Sequence, residues 1–193
     1  MCTGTAYQVA ILVKSKDSMV IVDKYMEMWI NHYGVPELVI ADLGGEFEGA
    51  FNDMCEDYGI DTRIAGAHAP WQNGIAERHG KILGTIWDKL VSDYQVTGRR
   101  FAKRTLAICV QAKNATITRN GITAEQAVFG RKLRWAESCN TDDDHILMSV
   151  LGSDGPAWLD AQMRTSARIV MLQRDCSEKV RRAMLRRAPE VME

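Results

Sequence analysis

No apolar run in this chain approaches the ~18 residues that a membrane-spanning helix needs, and none of the usual marks of export are present. The N-terminus MCTGTAYQ lacks a basic stretch followed by an apolar one, so no signal peptide is expected. Cysteine is scattered: Cys2, Cys55, Cys109, Cys139 and Cys176 are each 30 or more residues apart. An odd, dispersed set suits a reducing compartment and supports neither a zinc knuckle nor a disulfide framework. No internal repeat is visible, and the expectation is a soluble intracellular protein. The 193 residues are 46% apolar and 25% charged, near the globular average and far from a disordered composition. That length is enough to bury a sizeable core.

A net charge of −1 conceals a strong partition. Residues 1–60 carry three Lys/Arg against ten Asp/Glu, a balance of −7. Residues 61–135 carry thirteen against five, or +8. Residues 136–160 have no cation against six acids, and residues 161–193 have eight cations against four acids. A basic block of that size offers either a face for a polyanion or ordinary solvated surface, and the acidic block offers a place for cations.

Periodicity divides the chain into elements. Residues 6–13 (AYQVAILV) read as a buried strand. A helix is expected over 18–33, capped by Asp17 or Ser18, with Val22, Met26, Trp29, Ile30 and Tyr33 inward and Gly34 at its end. A second strand over 37–41 runs into Asp42 and stops at Gly44-Gly45. A helix over 46–58 places Phe47, Phe51, Met54, Cys55 and Tyr58 inside, and a short strand over 60–65 follows. Strand–helix–strand–helix–strand is an α/β pattern with a parallel sheet. Residues 66–74 (GAHAPWQNG) read as a loop, before a helix over 75–95 whose inner face holds Ile75, Ile82, Leu83, Ile86 and Leu90. Further helices are expected over 99–118 and from Thr123, where Gln126 completes a capping box, to Gly130. Residues 136–157 read as an acidic linker, and 158–188 as a helix with Arg-rich outer positions.

Two carboxylates stand out by position. Asp42 lies at the C-terminal end of a parallel strand, where open α/β sheets place their ligands. Glu77 lies just inside a helix after a Pro/Asn-Gly loop. Carboxylates so placed can face one cleft and share a Mg²⁺ ion through oxygen ligands. The plainer alternative is that Asp42 starts a turn and Glu77 favours the helix dipole.

The strings YGVPELVIADLGGEF (33–47) and HAPWQNGIAER (68–78) add to this. Together they resemble the catalytic core of retroviral and retrotransposon integrases, most of all the copia type of LTR retrotransposon. The resembling pattern is a strand ending in Asp-x-Gly-x-Glu-Phe, followed by a Pro-x-x-Asn-Gly-x-x-Glu-Arg helix start; here 34 residues separate Asp42 from Glu77. Downstream, AKNATITRNGITAEQAVFGRKLR (112–134) is similar to that family's Asn-containing helix, Thr-to-Gly turn and basic end. The resemblance covers about residues 6–135. It implies a ribonuclease-H-like three-layer α/β core, polynucleotidyl transfer and DNA integration by metal-dependent strand transfer, with Mg²⁺ or Mn²⁺ as the cofactor. It casts Asp42 and Glu77 as the second and third catalytic, metal-binding carboxylates.

The first carboxylate of that triad has no counterpart here. Asp17 and Asp23 fall at or within the first expected helix, so neither sits on a central strand. The expectation is therefore an incomplete sheet with an open edge, weak metal binding and a chain inactive alone. The expected organisation is a core over 1–135, a linker over 136–157 and a basic helical tail over 158–193.

For DNA contact the resemblance points to Lys81, with Arg78 and Lys89 on the same helix, and to Gln72 and Asn73 in the loop before it. The alternatives are a Lys81–Glu77 pair one turn apart and turn formation by Asn73-Gly74. Arg99, Arg100, Lys103 and Arg104 open the next helix, either as a phosphate-contacting patch or as a solvated end. Implied partners are DNA, both element ends and target, and further copies of the chain, with no membrane and no small-molecule substrate. Implied locations are the nucleus or a cytoplasmic virus-like particle. The other reading from the sequence is a non-catalytic nucleic-acid-binding remnant or interaction module.

Overall fold

The computed structural model describes residues 1–42, 44–64, 70–116, 118–119, 121–131 and 155–185. They fall into two compact units, one comprising Met1 and 8–81, the other 2–7 and the chain from Ile82 onward.

In the first unit the helix expected over 18–33 forms. Asp17 keeps an extended backbone and its carboxylate accepts the Met19 amide at 2.9 Å, capping α1 (Ser18–Tyr25). The coil continues as a π-helical turn (Met26–Ile30) and one α turn (Asn31–Tyr33), and ends at Gly34 with φ +81°. β1 (Leu38–Ala41) runs parallel to β2 (Asp61–Ile64), Leu38 opposite Asp61 and Ala41 opposite Ile64. Between them a 3₁₀ turn (Gly45–Phe47) precedes α2 (Ala50–Asp57). The helix expected over 46–58 is thus two pieces, broken where Gly49 takes φ +59°. Ser18 joins the pieces to α1: its hydroxyl donates to the Glu48 carbonyl at 2.6 Å and accepts the Phe51 amide at 3.0 Å.

Phe51, Met54, Cys55 and Ile60 form the buried centre of this unit, covered by Ile21, Val22, Tyr25, Met26, Ile30, Val39 and Phe47. Phe51 meets Phe47 and Tyr25 edge-on, with ring centres 5.3 and 5.4 Å apart. Tyr58, expected inside, is exposed: it is the C-cap of α2, beyond the last buried turn.

Residues 6–13 form no strand. An apolar, β-branched run becomes a strand only within a ladder, and neither sheet among the described residues includes it. The sheet of this unit has two strands, and both Leu38 and Ile40 of β1 stay exposed.

The second unit is helical. α3 (Pro70–Tyr94) contributes Ile82, Leu83, Ile86 and Leu90, and α4 (Arg99–Thr116) contributes Leu106, Ile108, Cys109 and Ala112, all buried. α4 packs against α6 (Pro156–Leu185), which turns Met163, Ala167 and Met171 inward at four-residue spacing. Tyr94 and Ser166 share a hydrogen bond of 2.8 Å. A short hairpin, β3 (Thr118–Arg119) with β4 (Ile122–Thr123), turns through Gly121 at φ +81°, and leads into α5 (Ala124–Phe129). The capping box forms as expected: the Thr123 hydroxyl accepts the Gln126 amide, and the Gln126 side chain accepts the Thr123 amide, both at 3.1 Å. The linker expected over 136–157 lies mostly outside the described residues; its last part, from Pro156, already belongs to α6.

Candidate active-site carboxylates and basic helix faces

Asp42 directly follows β1 and is exposed, as its place at a strand end requires. The Gly-Gly-Glu-Phe segment after it has a specific local reason. A Cβ on Gly44 would come within 2.6 Å of Glu46 Oε2, so the Glu46 side chain folds over Gly44 and would have to swing aside for a larger residue there. Lys16 Nζ lies 3.6 Å from Glu46 Oε1, a loose pair in which the lysine stays exposed.

Glu77 is exposed on α3, in the same compact unit as Asp42. The helix begins earlier than its sequence pattern suggests. Pro70 opens it, a position where a missing amide costs nothing and a fixed φ is an advantage. Three corrections follow. Gln72 and Asn73 sit in the first turn of a helix, not in a loop. Asn73-Gly74 makes no turn. Glu77 is the eighth helical residue, more than a turn beyond the helix end where the dipole acts. Ile75, expected on the inner face, is 43% exposed, whereas His79, Ile82 and Leu83 are buried.

Arg78 and Lys81 are exposed on α3 beside Glu77. Lys89 is committed elsewhere: its ammonium lies 2.8 Å from Asp93 Oδ1, one turn on. That pair is an ordinary i, i+4 contact and weakens Lys89 as a ligand for phosphate. Asp17 is held by its helix cap and Asp23 is exposed within α1, so neither joins Asp42 on the sheet.

The basic cluster of α4 divides as well. Arg104 donates to Asp160 Oδ1 and to the Pro156 carbonyl, both at 2.5 Å, and the Asp160 hydrogen bond raises its pKa further. Arg99, Arg100 and Lys103 are exposed. One charged residue escaped the sequence reading altogether. Lys113 is fully buried, its ammonium donating to the Ala6 carbonyl at 3.1 Å, and burial pushes its pKa down to about 8. Ala6 itself takes a left-handed backbone, φ +61°. The apolar period of α4 treats position 113 as an inward site; only the lysine in it conceals the fact.

Among the described residues no group of three or more His, Cys, Asp or Glu converges as a metal cage would, and no helix is long and apolar enough to cross a membrane. No protein-family model and no curated protein sequence matches the chain. A solved structure does. A chain of the simian T-cell lymphotropic virus intasome, in complex with PP2A regulatory subunit B56 gamma, superposes with a TM-score of 0.55 at 22% identity. The match covers 69% of this chain and 49% of that one, so this chain spans about half the length of the chain it resembles. At that identity the likeness speaks for the fold: this is an α/β chain with an integrase-like fold.

Proposed function

We propose that this chain is the catalytic core of a retrotransposon integrase of the copia type, ribonuclease-H-like in architecture, carrying two of three active-site carboxylates. The observation that carries the reading is the integrase-like fold together with an exposed Asp42 at the end of β1 and an exposed Glu77 on α3, within one compact unit. In this reading the core occupies 1–135, with a linker over 136–157 and a tail over 158–193.

Asp42 and Glu77 offer the hard oxygen donors that Mg²⁺ or Mn²⁺ takes. Bound there, such an ion would stabilise charge on phosphate oxygens. Two carboxylates are an incomplete donor set, and Asp17, Asp23 and Glu46 do not complete it. The chain's own part is to bind and orient DNA. Arg78 and Lys81 extend the surface beside Glu77, where they can neutralise backbone phosphates. Gln72 and Asn73 belong to the helix start that leads to it. Element ends and target DNA, and further copies of the chain, are the partners this reading requires.

Strand transfer on a labelled element-end oligonucleotide, with Mg²⁺ or Mn²⁺, tests it. This chain is compared with one extended upstream by an Asp-bearing strand. Joining by the extended chain only is the expected result; joining by this chain unaided sinks the missing-carboxylate reading. The second reading, a nucleic-acid-binding remnant without chemistry, is favoured by the incomplete donor set. It expects salt-dependent DNA binding that survives Asp42→Asn and no joining by either chain.

A further inference from the structure

We propose that the cleft between the start of α4 and the start of α6 is a separate site for a nucleotide unit of single-stranded nucleic acid. Arginines there hold the phosphate, and an apolar wall holds the base. The cleft lies within the second unit and measures about 890 Å³, the size of a small-ligand site.

Its lining has two chemistries. Arg99, Arg100 and Arg104 supply positive charge, and Phe101, Pro156 and Leu159 supply apolar surface; no acidic residue lines it among those described. Arg104 is bound to Asp160 and the Pro156 carbonyl, so its work is to fasten the two helix starts together. Arg99 and Arg100, exposed at the mouth, are the groups that meet phosphate. Cations in a first helical turn oppose the dipole, and neither α4 nor α6 has an acidic residue in its first turn. Both helices also follow a glycine, Gly98 and Gly155, so no side-chain oxygen sits at either cap. An anion in the cleft reverses each of these costs. Guanidinium beside an aromatic face is the combination single strands use, phosphate on the cation and base on the ring. A bare oxyanion would gain nothing from Phe101 and Leu159.

Fluorescence anisotropy of the full chain with a labelled 12-nucleotide single strand tests this. Arg99→Gln/Arg100→Gln should bind about tenfold more weakly at 100 mM salt and lose about 1.4 from the log–log salt slope, roughly 0.7 for each phosphate contact removed. Phe101→Leu should bind about fivefold more weakly with the slope unchanged. AMP should compete, and inorganic phosphate at equal ionic strength should not. Because both arginines are exposed and oppose the α4 dipole, thermal melting should not fall in the double variant. Unchanged affinity and slope in the double variant, or no single-strand binding by the parent, overturns the site. Equal competition by phosphate and AMP overturns its assignment to a nucleotide. Lys81→Gln and Asp42→Asn run alongside and should leave the competition by AMP intact, which keeps failure here distinct from failure of the integrase reading.

Discussion

The two units differ in what holds them together. The second is built on fully buried side chains, Ile86, Leu90, Ile108, Met163 and Met171 among them, supplied by three long helices. The first has a four-residue buried centre and a two-stranded parallel sheet whose Leu38 and Ile40 remain exposed. Parallel sheets are normally covered on both faces. The candidate carboxylates lie on the less buried unit, and the buried lysine on the more buried one. Stability and candidate chemistry are therefore separable by substitution.

The largest effect should come from the helical core. Ile86→Ala should cost about 2–5 kcal/mol in denaturant unfolding, because a fully buried side chain leaves a cavity behind. Met54→Ala, in the smaller centre, should fall at the lower end of that range. An equal or larger loss at Met54 would break the contrast.

Lys113 gives a pH signature next in size. Its folded pKa of about 8 lies below the ordinary 10.5. Between these values the unfolded chain binds the extra proton, so stability rises with pH from about 8 to 10.5 and its full gain is present only above that range. The full difference is about 3 kcal/mol. Lys113→Met should flatten that rise in unfolding measured across the range; a rise that persists assigns it to another group.

Thr123→Ala should cost about 1 kcal/mol, by removing the hydroxyl that caps α5. Chemical denaturation resolves a change of that size.

Much of this fold was legible because helices announce themselves by period and caps. Asp17, the Thr123–Gln126 box and the Ile82–Leu90 face all form as read. What escaped depended on partners that a local pattern does not contain. Residues 6–13 have strand composition yet join no strand ladder among the described residues. The hairpin that turns through Gly121 hides between two helical patterns, although an Asn-Gly pair in the sequence is the usual signal for such a turn. Pro70 was read as a breaker when it was a first helical residue, which moved Gln72, Asn73 and Ile75 onto different ground. At the candidate site, the strand-end place of Asp42 and the helical place of Glu77 were legible from motif and spacing. The Lys89–Asp93 pair was readable from i, i+4 spacing alone, whereas the Lys16–Glu46 contact, between residues thirty apart, needed the fold.

The most direct test of the account is strand transfer by the upstream-extended chain carrying Asp42→Asn or Glu77→Gln, with thermal melting measured alongside. Both residues are exposed, so melting should move by less than about 0.5 kcal/mol in equivalent stability. The account predicts that either substitution abolishes joining while the fold is kept. Joining that persists in either variant would contradict it.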